Sequence, residues 1–471
     1  MESEGFRILA DGHLMDNDTY ATGLNNNDVV IGGSGSGKTR GYVKPNILQC
    51  SGSMVITDTK GTLRKEMGGL LEREGYHVLE INLADPGAST CGYSPFDYIR
   101  MDKDGNYNGQ DIMKAAACIV PLESVQEPVW DLSARMYLEC IIGYVLQCLP
   151  ENEHTMESVS LLFMEMTTGK FDRLMMELGC QEPKCFASMR YRAFRSTAAA
   201  DRMYASIMGM LAEKLNVFVS ESARMLEAMP QRVCFPALGR QKTALFLTVS
   251  DTDRSMDRLA NLFYLQALQS LCDSADRSPS RSLDVPVRLI LDDFAANVRI
   301  PDFPKIISVI RSRNISVSII LQSISQLERL YGHSDAMTIL DNCDNCLYLG
   351  GQDVHTAQYM GIKANKSVHS ILETPVGGAW LFTRGKKAEE VRVYDVTKHM
   401  RYGQMQELPD TGEPAVGSPP FPSQGGQGGL PPASHGTDEL PFHDTDEQPS
   451  NDTDELPFHD TDELPFPTGI L

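Results

Sequence analysis

Seven short apolar runs recur along the chain: DVVIGG (28–33), SMVITD (53–58), HVLEINL (77–83), TALFLTVSD (243–251), VRLILDD (287–293), ISVSIILQS (315–323) and NCLYLGG (345–351). Each is nearly continuous rather than alternating, as expected of strands covered on both faces in a parallel sheet. Between them, stretches such as GTLRKEMGGLLEREG and SMDRLANLFYLQALQSL repeat apolar residues at three and four, the spacing of one helix face. This strand–helix alternation predicts an α/β fold with a mostly parallel sheet and right-handed crossovers.

From about 105 to 235 the rhythm changes. Leu138, Ile141, Ile142, Val145, Leu146 and Leu149 keep helical spacing, and SLLFMEM, FDRLMMEL and YASIMGMLAEKL continue it with no convincing strand. The expected organisation is an α/β part at 1–104, an all-helical insertion at 105–235, and a second α/β part at 236–403. A tail at 404–471 repeats TDELPFHD, TDEQPSND, TDELPFHD and TDELPF from residue 437 at eight-residue steps. Acidic, proline-bearing repeats of that length bury too little apolar surface to fold alone, so the tail is expected to be disordered.

Charge sharpens this division. The tail holds 14 Asp/Glu and no Lys/Arg, so of the net charge of −21 only −7 falls on residues 1–403. A mildly acidic average argues against a chain coated in nucleic acid but allows a local basic channel. The 11 cysteines show no disulfide rhythm, which fits a reducing compartment. Cys343 and Cys346 are the one close pair, and without two further ligands nearby they read as buried thiols at a strand entry rather than as zinc ligands. No stretch reaches the 18–20 apolar residues of a membrane span; MYLECIIGYVLQCLP is interrupted by Glu139 and Gln147 and reads as a core helix.

The chemistry begins at the first run. Gly32-Gly33-Ser34-Gly35-Ser36-Gly37-Lys38-Thr39 fits G-x-x-x-x-G-K-[ST], after a strand and before a helical segment. The glycines let backbone N–H groups turn inward around phosphates, Lys38 supplies a positive charge, and the Thr39 hydroxyl is placed for Mg2+. The expected ligand is a nucleoside triphosphate. VRLILDDFAAN has the form of a Walker B strand, with Asp292 holding Mg2+ and Asp293 orienting the attacking water. The second carboxylate is more often Glu; Asp is one methylene shorter. Further on, Gln322 ends a core strand and is a candidate γ-phosphate sensor or a plain strand cap. Arg311 precedes that strand and is a candidate arginine finger toward a neighbouring subunit, or a helix-terminal charge.

GGSGSGKTRGYVKPNIL, MVITDTKGTL, YSPFDYI, LILDDFAANVRIPDFPKIISVIRSRNISVSIILQSISQLERLYG and CLYLGGQD together resemble the conjugative type IV secretion coupling proteins, in particular the TraG/TraD-like branch of Gram-positive mobile elements. The resemblance covers roughly residues 28–400. It implies a RecA-like P-loop ATPase with an all-α domain inserted in the nucleotide-binding domain, using ATP and Mg2+. It implies a homo-hexameric ring that drives relaxase-bound DNA, expected to be single-stranded, into a secretion channel, with relaxase, relaxosome and channel proteins as partners. By position it makes Gln322 a sensor and Arg311 a trans-acting finger, and it gives Asp58 and Lys60 of TDTKG a structural or coupling role.

Three features depart from the family pattern. Members normally begin with a membrane anchor. Without one here, the chain is expected in the cytoplasm at the inner membrane face, held by a partner or by a missing N-terminal anchor. Asp293 stands where Glu is usual. The acidic repeat is an addition whose DELPF units resemble the acidic tips of bacterial single-stranded DNA-binding proteins, with Phe442, Phe458 and Phe466 as candidate anchors beside the alternative of a solubilising tail. Arg192, Arg195 and Arg202 cluster in the insertion and are candidate DNA contacts or a solvated helix face. Two rival functions stand beside the motor: an FtsK–HerA-type DNA motor outside conjugation, and an ATP-binding recruitment adaptor with little hydrolysis.

Overall fold

All seven apolar runs become parallel neighbours in one sheet. In the computed structural model, which describes residues 5–123, 128–165, 169–197, 201–294 and 299–405, eleven strands are present. In chain order they are β1 (Phe6–Ala10), β2 (His13–Asp16), β3 (Asp28–Ile31), β4 (Ser53–Asp58), β5 (His77–Asn82), β6 (Thr243–Thr248), β7 (Val287–Leu291), β8 (Ile315–Leu321), β9 (Asn345–Tyr348), β10 (Gly378–Thr383) and β11 (Glu389–Arg392). Strands β1 and β2 form a separate hairpin; the other nine lie in the order β11-β10-β9-β3-β8-β7-β4-β6-β5. The seven from β9 to β5 pair in parallel. Strands β10 and β11 extend the sheet antiparallel and were not anticipated from the sequence.

Every residue of β3, β4, β6, β8 and β9 is buried, which explains why their sequences lack alternation. One face packs Val30, Ile56, Ile290 and Ile320 against Tyr42, Val43, Ile47 and the helix Leu63–Arg73. The other packs Val29, Ile31, Val55, Leu289 and Val317 against the helix Asp257–Arg277.

Among the described residues, those from 109 to 228 form helices and short turns without a named strand. The longest of these helices, Val129–Cys148, buries Tyr137, Leu138, Ile141, Ile142 and Val145 in the same apolar cluster that reaches the sheet at Val29 and Val55. The helical region therefore shares its core with the sheet. The described residues, from 5 to 405, fall in one compact unit. The tail beyond 405, with Phe442, Phe458 and Phe466, lies outside the described residues. No helix among the described residues is long and apolar enough to cross a membrane.

Candidate functional site

The carboxyl ends of the central strands converge on one cleft of about 350 Å³. Parallel register sets Ile31 of β3 beside Leu321 of β8, and Ile56 of β4 beside Ile290 of β7. The residues just beyond these pairs are the P-loop, Gln322, Asp58 and Asp292. Crevices at strand carboxyl ends are where open α/β sheets place ligands.

Residues 32–39 close a tight loop over the end of β3. Gly35 and Gly37 take φ of +75° and +90°, which side chains disfavour. The loop is braced from beneath by the glycine pair after β9: Gly33 N–H donates to the Gly350 carbonyl at 3.1 Å. A Cβ on Gly351 would stand 3.5 Å from Gly33 N. CLYLGG therefore supports the P-loop, a role its sequence did not disclose.

Lys38 is buried and its ammonium donates to the carbonyls of Gly32 at 2.7 Å and Gly33 at 3.1 Å. Burial lowers its proton affinity, while Asp293 and Asp292 act to restore it. Ser36 Oγ is buried inside the loop with no hydrogen-bond partner among the described residues. An orphaned hydroxyl and a lysine satisfied only by loop carbonyls suit a phosphate chain.

The cation half of the site stands opposite. Thr39 Oγ1 donates to Asp292 Oδ2 at 2.9 Å. Asp292 is 7% exposed, and burial pushes its carboxyl up to about 6 against the Thr39 hydrogen bond. A carboxylate that is costly to ionise unaided, beside a threonine hydroxyl, is an oxygen donor set for a hard divalent cation. Asp293 takes φ +49°, its N–H donates to Asp292 Oδ1 at 3.1 Å, and its Oδ1 accepts from Gln322 Nε2 at 3.4 Å. That left-handed backbone turns the second carboxylate toward the tip of β8. Gln322 Oε1 in turn accepts from Gln326 Nε2 at 3.4 Å, on the helix Ile324–Tyr331.

TDTKG belongs to the same cleft. Asp58, 2% exposed, accepts from the N–H groups of Lys60, Thr62 and Arg64 and caps the helix Leu63–Arg73. The cap fixes the 59–62 turn and leaves exposed Lys60 on the cleft wall facing the P-loop.

The helical segment expected after the P-loop is present but irregular at its start. Residues Thr39–Val43 form a π-helical turn leading into the helix Lys44–Leu48. Pro45 lacks the N–H that would extend the ladder back to Gly41, which accounts for the irregular turn. Lys44 pairs with Glu66 and ties this turn to the helix Leu63–Arg73.

Arg311 lies elsewhere. It sits in the turn before β8 and donates to the Thr19 carbonyl at 2.9 Å. The seven residues of β8 separate it from Gln322, roughly 20 Å of strand. It does not reach the P-loop of its own chain. In the helical region, exposed Arg195 faces Asp172 at 3.7 Å and exposed Arg192 bonds the Ser188 carbonyl; the Arg202 side chain lies outside the described residues. Cys343 and Cys346 are buried, and no cluster of three or more metal-ligating side chains occurs among the described residues.

A family described as type IV secretory system conjugative DNA transfer matches residues 8–364. The chain belongs to this family. Among curated relatives of this conjugative DNA transfer family, protein VirD4 of Rhizobium radiobacter is 24% identical over 340 residues, covering 70% of this chain and 47% of that protein. Conjugal transfer protein TraG of Escherichia coli is 25% identical over 334 residues, covering 65% of this chain and 50% of that protein. The chain thus spans about half the length of these relatives. Its fold is similar to plasmid coupling protein TrwB in complex with the ATP analogue ADPNP, at 19% identity and a TM-score of 0.63 over 83% of this chain and 89% of that one. The likeness to TrwB in complex with ADP and Mg2+ has the same identity and coverage, with a TM-score of 0.62.

Proposed function

We propose that this coupling-protein chain is an Mg2+-dependent ATPase that moves a relaxase-bound DNA strand toward a type IV secretion channel. The observation that carries the reading is the meeting of Lys38, Thr39, Asp292, Asp293 and Gln322 at one cleft, although they come from sequence positions up to 284 apart. TrwB, whose fold this chain shares, has been captured with ADPNP and with ADP and Mg2+. ATP supplies the phosphoanhydride bond, and the metal neutralises its oxygens.

This chain's residues do the positioning. The N–H groups of 33–39 and the Lys38 ammonium hold the phosphates, with the Ser36 hydroxyl turned into the loop. Thr39 and Asp292 hold the cation. Asp293 orients the attacking water, and Gln322 couples that carboxylate to Gln326 and the helix Ile324–Tyr331. Lys60 adds a charge from the facing wall. Because Arg311 is remote from its own P-loop, its role as a finger requires a neighbouring copy, and a ring, most simply a homohexamer, supplies one. The division into a nucleotide-binding part (1–104 and 236–403), an inserted helical domain (105–235) and an acidic tail (404–471) belongs to this reading, as does a place at the inner face of the membrane.

The test is steady-state ATP hydrolysis across protein concentration, with and without single-stranded DNA, using Lys38→Ala as the blank. Turnover that rises faster than linearly with protein and is stimulated by DNA supports a ring motor. Nucleotide binding with no turnover above the blank favours the recruitment adaptor.

A further inference from the structure

At the edge of the sheet opposite the P-loop, β3, β7 and β8 start with polar side chains. Asp28, Arg288, Ser316 and Ser318 stand at two-residue steps from Val30, Ile290 and Ile320, so all four lie on the face those residues define. Asp28 is 1% exposed and accepts from Arg7 Nε at 2.8 Å, Tyr42 OH at 2.7 Å and Asn345 Nδ2 at 3.0 Å. Arg288 Nη1 donates to the Asn26 carbonyl and to Ser318 Oγ, both at 3.0 Å, and lies 3.5 Å from the same Asp28 oxygen. One buried guanidinium, Arg7, and one partly buried, Arg288, thus share one carboxylate. Among the described residues, no other acidic side chain pairs with either. Burial lowers the proton affinity of Arg288 and the charge of Arg7 adds to that, against the opposing pull of Asp28.

The pair faces a cavity of about 120 Å³, whose lining includes Arg7, Ser51, Arg288, Arg311, Asn314 and Ser316. Several donors there are unused. Among the described residues, Arg288 bonds only through Nη1, and Arg311 only through Nη2, to Thr19. The hydroxyls of Ser51 and Ser316 make no hydrogen bond among the described residues. Excess positive charge withdrawn from water is costly unless an anion balances it. Planar guanidinium forks with open N–H groups match the oxygens of a tetrahedral oxyanion better than any neutral ligand.

We propose that this cavity binds a phosphate group clamped between Arg288 and Arg311. The phosphate is either free or part of a nucleic-acid backbone; both present the same oxygens. Asp28 begins the strand that ends in the P-loop, and Tyr42 on the turn after the P-loop holds the same carboxylate. An anion that draws Arg288 away from Asp28 therefore alters the anchoring of the nucleotide loop from behind.

Inorganic phosphate titrated calorimetrically into the full chain carrying Lys38→Ala isolates this site from the P-loop. One phosphate should bind per chain. Its affinity should fall about tenfold in Arg311→Gln, and at least as far in Arg288→Lys, which keeps the charge but loses the fork. Arg311 is exposed, so its variant should melt with the parent and keep the test valid even if the Arg288 variant folds poorly. A short single-stranded oligonucleotide that displaces the phosphate identifies a backbone phosphodiester as the occupant; one that leaves it bound identifies free phosphate. Binding weaker than about 10 mM, or an affinity left unchanged by Arg311→Gln or by a folded Arg288→Lys variant, overturns the proposal; loss in Arg311→Gln but not in Arg288→Lys would place the phosphate at a neighbouring copy's nucleotide site instead.

Discussion

Asp292 shows most directly how a single residue trades stability for chemistry. Its folded carboxyl titrates at about 6, above the ordinary 3.8, because it is buried. The folded state therefore binds this proton more tightly than the unfolded chain. The group's contribution to stability is fully present below about pH 4 and is lost as pH rises through about 6. Without nucleotide, Asp292→Asn should then raise the melting temperature at pH 7.5, with an upper bound of about 3 kcal/mol, and change little at pH 4. The same variant should lose Mg2+-dependent nucleotide binding. In the parent chain that binding should weaken as pH falls below about 6, read by titration with a fluorescent ATP analogue. Arg311 makes a second prediction. Arg311→Ala should keep nucleotide affinity within about twofold while hydrolysis falls 10²-fold or more, in the range that fingers supply. A loss of binding together with turnover would assign Arg311 to its own chain's fold instead. The P-loop and Walker B residues were legible because each motif is local and carries its own backbone requirement. Lys60 was readable only as part of a motif, since the Asp58 cap that aims its turn involves no sequence signal for a ligand.

At the scale of elements, the turn after the P-loop is set by what packs on it. A Cβ on Gly41 would collide with Val393 Cγ1, just past β11, and the β-branched side chain has little room to swing away. Gly41→Ala should destabilise the chain by about 1–3 kcal/mol and weaken nucleotide binding, seen as parallel losses in denaturant midpoint and ATP-analogue affinity. Glu227 joins three elements in the helical region. It accepts from Ser94 Oγ at 2.8 Å, before the Pro95–Tyr98 turn of YSPFDY, and from Met156 N–H at 3.0 Å, at the start of the helix Met156–Met164. Burial raises its carboxyl to about 7. Its ionisation therefore opposes folding, and stability from this group is lost as pH rises through about 7. Glu227→Gln should be neutral or stabilising at pH 8. Glu227→Ala should cost about 1–3 kcal/mol, because the Ser94 hydroxyl and the Met156 N–H lose their partner. Urea melts of both variants at pH 6 and 8 separate these effects. The seven central strands were legible because burial on both faces leaves an unmistakable apolar run. The antiparallel edge was not: β11 is EEVR, largely exposed, and depends on β10 for its existence.

For the whole molecule, the two ends of the sheet divide the work. The carboxyl ends gather the P-loop, Asp58, Asp292, Asp293 and Gln322, and the opposite ends gather Arg7, Arg288 and Arg311 at a polar cavity, the first two paired with Asp28. A ring that brings Arg311 of one copy to the nucleotide of the next would join the two ends across a subunit boundary. The match to the conjugative DNA transfer family over residues 8–364 includes residues from both ends of the sheet.

The sequence by itself determined the P-loop motif, the parallel sheet and the change to helical periodicity from about residue 105 to 235, because each rests on short-range chemistry: backbone clearance around phosphates, two-sided burial, and 3.6-residue periodicity. Only the tertiary structure decided which residues share a site. Arg288 and Asp28 sit inside apolar runs that look purely structural, and register between strands far apart in the chain makes them a charged pair. Gly350 and Gly351 support the P-loop from more than 300 residues away. Arg311, ten residues before Leu321 at the end of β8, is carried to the opposite edge because an extended strand spans the sheet from one end to the other.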